Sequence, residues 1–136
     1  MAALTQDRNT PATGESVFTD PVKAGVTIFA GALTCLDADG NLVPGAEATT
    51  LMARGRAKAK VVGGAADGDI TADSETGIFR FSNSAAADAI TRADIGENCF
   101  VVDDQTVAKT NGAGTRSVAG RIVQLDAQGV WVRVGR

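Results

Sequence analysis

From Val17 onward the chain is a succession of short apolar, β-branched runs, each closed by Gly, Asp, Asn or Pro. Val26-Thr27-Ile28-Phe29 and Leu33-Thr34-Cys35-Leu36 are two such runs, broken at Gly31. Asp37-Ala38-Asp39-Gly40-Asn41 supplies the side-chain acceptors and the glycine of a tight turn, after which Leu42-Val43 begins the return that Pro44-Gly45 ends. A further strand is expected over about residues 51–62, then a flexible Gly-rich loop at 63–68. Residues 70–75 and 78–81 predict a hairpin turning at Thr76-Gly77. Alternation in Ile78-Phe79-Arg80-Phe81 puts both Phe on one face and Arg80 on the other.

Ser84 to Ile90 is the one helix-favouring stretch, with Ser84 as its N-cap, and Thr91-Arg92-Ala93-Asp94 fits a second short capping turn closed by Gly96. Residues 99–102 and 106–109 predict a hairpin around Asp103-Asp104-Gln105. Residues 118–126 and 130–134 predict a last one around Ala127-Gln128-Gly129. Strands this short between turns this frequent define an all-β body, a compact small barrel or sandwich of short hairpins. Residues 1–16 hold one Leu and no β-branched aliphatic, so nothing there can bury a face. The expected organisation is an extended N-terminal arm over 1–16 and a single β domain over 17–136. Leu36 to Val43 resembles Leu125 to Val132, an echo that convergence on one hairpin turn explains better than duplication.

Composition narrows the chemistry. The 136 residues include 24 Ala and 16 Gly but only five Phe, one Trp, no Tyr and no His. Without histidine the commonest general base and transition-metal ligand is missing, so most hydrolase triads and zinc sites are excluded. A net charge of -3 argues against a direct nucleic-acid binder. No apolar run approaches the ~20 residues of a membrane-spanning helix. The first eleven residues lack the apolar segment of a secretory signal, and a cytoplasmically assembled product is expected. Cys35 and Cys99 each lie in an apolar stretch, where Cys behaves as a small buried hydrophobe. A Cys35–Cys99 bridge or a reactive thiol is the alternative, with no nearby His to support it.

Motif readings mostly dissolve. Asp37 to Asn41 fails the calcium-loop pattern, because Gly is fourth and position 48 is Ala. Asp67, Asp69, Asp73 and Glu75 alternate along an expected strand and read as a solvated face rather than a metal site. Asn111 to Ser117 has neither the spacing nor the Lys of a phosphate loop. No catalytic residue, metal ligand or cofactor site is therefore assigned, and the expectation is a non-enzyme. Arg54, Arg56, Lys58 and Lys60 stand out instead. At period two they form a cationic stripe on one strand face, either a solvated face that blunts a sheet edge or a contact for an acidic partner surface. No aromatics interleave with them in the sequence, so stacking on single-stranded nucleic acid is not indicated.

Taken together, Ala24 to Leu33, Gly77 to Ser84, Ile90 to Gly96, Cys99 to Val107, Gly120 to Val123 and Gly129 to Val132 resemble small capsid decoration, or cement, proteins of tailed phages, notably the Mu-like transposable type. The likeness runs from about Arg8 to Val134. More distantly, Gly77 to Phe81 resembles a Gly-x-Phe-Arg-aromatic strand of the lambdoid head decoration family. Lys58 and Lys60 depart from the pattern, since relatives tend to be acidic there. The resemblance implies a compact fold of the β-clip type and a structural role on the outer surface of the virion capsid, stabilising the expanded lattice. It implies the phage major capsid protein as partner, and a homo-oligomer with a trimer favoured and a dimer possible. A tail or neck component, or a soluble binding module or enzyme unrelated to virions, is the alternative. Leu4, Arg8, Thr10, Pro11, Val17 and Phe18 are the arm residues expected to order on the capsid, adding strand-like hydrogen bonds and apolar anchors. Phe29, Phe79, Phe81, Phe100 and Trp131 are expected to anchor the core.

Overall fold

The computed structural model describes residues 2–9 and 16–135, and the protein is all-β. Two five-stranded systems and one two-stranded pair make up the strands of the described chain. An open sheet takes the order β1 (Val17–Pro21), β7 (Thr71–Glu75), β5 (Met52–Ala57), β3 (Leu33–Leu36) and β4 (Leu42–Pro44), with every neighbouring pair antiparallel. A closed barrel takes β8 (Gly77–Asn83), β9 (Asn98–Val101), β10 (Thr106–Ala108), β11 (Val118–Asp126) and β12 (Gly129–Val134), closed by a parallel β8–β10 pair. The short strands β2 (Thr27–Ile28) and β6 (Val61–Val62) pair with each other.

The core is aliphatic. Leu33 and Cys35 of the sheet pack with Val101, Ile122, Val130 and Val132 of the barrel in one buried cluster, so the two systems share a single interior. A smaller cluster, built on Val22, Ile28 and Leu42, lies under the β2–β6 side. The expectation that five aromatics anchor the core holds fully only for Phe81, which is 5% exposed. Phe79, Phe100 and Trp131 are half-buried and Phe29 is 56% exposed. Closely paired short strands leave room inside for Val and Ile but not for more rings.

Three sequence expectations change. Residues 70–75 and 78–81 do not form a hairpin. Only Thr76 separates β7 from β8; β7 pairs with β1 and β5, while β8 crosses to pair with β12 and β10. One residue is too few for a hairpin loop, and Gly77, at φ 155°, carries the chain from sheet to barrel. The helix at 84–90 is a single 3₁₀ turn over Ala86–Asp88, preceded by Ala85 without a side-chain cap. Ser84 spends its hydroxyl on the Val107 carbonyl at 3.0 Å, and so short an Ala run cannot offset helix nucleation. The strand at 51–62 is two strands, because β5 stops at Ala57 and β6 resumes at Val61 with another partner.

Other local readings hold. Arg92–Asp94 forms a 3₁₀ turn with a reciprocal Thr91–Asp94 capping box. The echo between the two turns has a shared chemistry. Asp37 Oδ1 accepts from the N–H groups of Asp39 and Asn41, and Asp126 Oδ1 from those of Gln128 and Gly129. Each aspartate closes its own hairpin, as Asx turns do.

Candidate functional site

Described arm residues 2–9 are all exposed and carry no strand; Leu4 is 72% exposed. Thr10 and Pro11 lie outside the described residues. The chain then enters β1, an end strand of the sheet. The Ser16 carbonyl accepts from Thr76 N–H and Val22 N–H donates to the Ile70 carbonyl, which fixes the phase of the ladder. Even-numbered residues turn their backbone groups toward β7, and Val17 and Thr19 turn theirs outward. Beyond Pro21 the outer side is covered, since Val22 bridges Leu42 and Lys23 N–H donates to the Leu42 carbonyl. Among the described residues, no strand lies along Val17–Thr19 on that side.

Phe18 and Asp20 point to one face of β1 and meet Arg54 from β5. The guanidinium donates to both Asp20 oxygens, at 2.8 and 3.0 Å, while stacking 4.2 Å from the centre of the Phe18 ring. Arg54 and Asp20 are both largely buried, with side chains 24% and 11% exposed. A bidentate pair under an aromatic lid is the geometry that guanidinium favours. Arg56 donates to Glu75 Oε2 at 3.0 Å and lies 4.4 Å from the Phe79 ring. Lys60 Nζ stands 5.3 Å from the exposed Phe29 ring, and Lys58 is exposed.

This corrects the stripe of free charges. β5 ends before Lys58, so the four cations do not share a strand face. Arg54 and Arg56 are neutralised by carboxylates of β1 and β7, Phe18 of β1 and Phe79 of β8 stack on them, and Phe29, just after β2, stands over Lys60. Asp20, Glu75, Phe79 and Phe29 complete these contacts and were not assigned from sequence. The alternation Phe18-x-Asp20 was the available signal, but only the register joins it to Arg54.

Elsewhere the polar groups hold loops. Arg116 reaches Glu47 at 2.9 Å and Asp88 at 3.3 Å, and the Ser117 hydroxyl donates to the Ala48 carbonyl while accepting from Leu51 N–H at 3.2 Å. Thr110 first and Arg116 second hold the Asp88 carboxyl below its usual range. Asp67 accepts from Ala24 N–H and Asn41, Asp69 from Ala66 N–H, and Glu75 from Arg56, so these carboxylates serve backbone and ion pairs. Among the described residues there is no His/Cys/Asp/Glu group placed to hold a metal, and no helix long and apolar enough to cross a membrane. Cys35 and Cys99 are both free and fully buried, and burial pushes each thiol up to about 12.

Comparisons of the chain with models of protein families, with curated proteins and with solved structures found no match.

Proposed function

We propose that this chain is a structural virion protein, a decoration or cement protein that binds the outer surface of a tailed-phage capsid and stabilises the expanded lattice of the major capsid protein. The observation that carries this reading is an end strand open between Val17 and Thr19, with residues 2–9 exposed ahead of it. An arm of this kind gains order on a partner surface. The open backbone groups of β1 extend that contact by strand addition, with Val17 and Phe18 as apolar anchors. The likeness to phage cement proteins, noted along most of the chain, gives the partner its identity.

In this reading the body is a platform and many weakly bound copies stiffen a shell through multivalency. Copies also contact one another as a homo-oligomer, a trimer being favoured. The test is co-sedimentation of the protein with expanded capsid shells, using the full chain and a variant lacking residues 2–16. The truncated protein should keep its cooperative melt and lose pelleting with shells. Unimpaired pelleting would sink the role of the arm, and absence of pelleting by the full chain would sink the reading itself.

A further inference from the structure

The barrel wall carries a second set of cations that the contacts above leave unused. Arg121 on β11 and Arg133 on β12 are direct cross-strand partners, and Asn98 on β9 is the partner of Arg121 on its other side. A slip in the ladder brings the two arginines together. Between Ile122 and Gln124 the register shifts, Val123 being the extra residue of a bulge. Continued unshifted from the turn, the ladder would set the buried Ile122, and not Arg121, opposite Arg133.

Like charges directly opposite on a sheet destabilise it. Arg54, Arg56 and Arg116 each have a carboxylate partner. Arg121 and Arg133 are exposed and, among the described residues, neither is in an ion pair. With Asn98, Val118 and Gly120 they line a concavity of about 490 Å³ that, among the described residues, no carboxylate lines. Apolar surface flanks it: Val118 is 44% exposed, and Ile78, the β8 partner of Arg133, 39%. Arginine beside exposed aliphatics is the composition of a protein interface rather than of a free-ion site.

We propose that this concavity docks a carboxylate-bearing turn from a second copy of the chain. The inference rests on the homo-oligomer of the reading above and names its contact. The chain as a whole is acidic, at -3, and it carries its own complementary surface. Asp39 in the β3–β4 turn, and Asp67 and Asp69 in the loop after β6, stand in turns joined by an Asn41–Asp67 hydrogen bond of 3.3 Å. Among the described residues none of these three aspartates has a cationic partner. Seated in the concavity, two such carboxylates relieve the Arg121–Arg133 repulsion through charge-assisted hydrogen bonds.

The test is analytical ultracentrifugation of the full chain and of three charge variants. The wild type should sediment as an oligomer. Arg121→Glu with Arg133→Glu should raise its dissociation constant about a hundredfold, as should Asp39→Lys with Asp69→Lys. All four substitutions in one chain should restore assembly, because the charges are then exchanged across the same contact. Thermal melts identify any variant that fails to fold, and Arg121→Gln with Arg133→Gln, which keeps side-chain size, then takes its place with a smaller expected loss. A monomeric wild type, charge variants that assemble as well as wild type, or a fourfold variant that stays dissociated would each overturn the contact. Shell pelleting is scored separately. A monomer that pellets with shells overturns the contact and leaves the decoration reading standing, whereas an oligomer that dissociates as expected but never pellets does the reverse.

Discussion

Each strand of the barrel has a neighbour on both sides, whereas the open sheet ends on β1 with the backbone groups of Val17 and Thr19 facing no described strand. Closure removes the edges that would otherwise recruit other chains. The sheet goes part of the way, since the Val22–Leu42 bridge covers the continuation of β1 and Pro21 lacks an N–H to offer. What stays open is the short stretch next to the arm. The difference separates two roles: the barrel gives a rigid body, and the open stretch of β1 is the edge that the proposed strand addition uses. Because Leu33 and Cys35 share a core with Val130 and Val132, the two regions should nonetheless unfold together.

The largest effect should come from breaking the barrel. A Cβ on Gly120 would stand 2.1 Å from the Arg133 carbonyl oxygen and 2.9 Å from a Val132 methyl. Gly120→Ala must push β11 from β12, at a cost of about 3 kcal/mol or more. Gly31→Ala in the sheet region meets nothing within 4 Å and suffers only its positive φ of 85°, a loss of about 1 kcal/mol. Thermal unfolding followed by circular dichroism should rank them in that order. Equal losses would refute the idea that barrel closure dominates stability.

The shared core has a pH signature, the second largest effect. Cys35 sits in the sheet and Cys99 in the barrel, and burial raises both thiols from 9.0 to about 12. A raised thiol stays protonated in the folded state while the unfolded chain ionises. Its stabilisation is therefore complete below pH 9 and is lost as pH climbs toward 12, amounting to a few kcal/mol across both groups. Denaturant midpoints measured at pH 8 and pH 10.5 should fall for wild type. Cys35→Ala and Cys99→Ala should each flatten that fall by a similar amount, and flattening by only one would mean the regions do not share their interior.

Much of this organisation can be read from the chain itself. The hairpins at 99–109 and 118–134 follow from alternation and turn residues, because their partners are adjacent in sequence. The exposure of residues 2–9 follows from their lack of large apolar side chains other than Leu4. What escapes is anything that depends on distant register. Thr76-Gly77 looks like a hairpin turn, yet it hands the chain from one strand system to the other. The cation stripe assumes an unbroken strand, and β5 breaks at Ala57 because its continuation finds β2 instead. Arg54 under Phe18 requires β1 to lie two strands away across β7, a pairing no local pattern encodes. Arg121 opposite Arg133 depends on one bulge residue, which no turn signal marks.

A third test moves to the sheet. Asp20 and Arg54 tie β1 to β5, strands that β7 separates in the sheet order, and both are mostly buried. Arg54→Ala leaves the Asp20 carboxylate without its two donors and strips the Phe18 ring of its support. The expected loss is about 2 kcal/mol. Arg54→Lys should recover less than half of it, because an ammonium cannot match both oxygens and stack at once. Hydrogen exchange should localise the damage to β1 and leave the barrel amides protected. Uniform loss of protection would show that β1 is as integral as the barrel strands.

The smallest effect should belong to Arg56, and its smallness is informative. It stands two residues on from Arg54 in the sequence and it too has a carboxylate and a ring, but Glu75 is opposite Val17 and so lies on the other face of the sheet from Phe18 and Asp20. Its side chain is 42% exposed and that of Glu75 35%, however, and the bond is single rather than bidentate. Solvent competes for both charges, so Arg56→Ala should cost no more than about 1 kcal/mol, and salt should erase most of the difference. The Arg54 loss should persist in salt because its pair is shielded by Phe18. Melts of the two alanine variants in low salt and in 1 M salt therefore separate a clamp from a surface pair. If Arg56 proved the costlier of the two, β5 would be held from its barrel side through Phe79 rather than through β1.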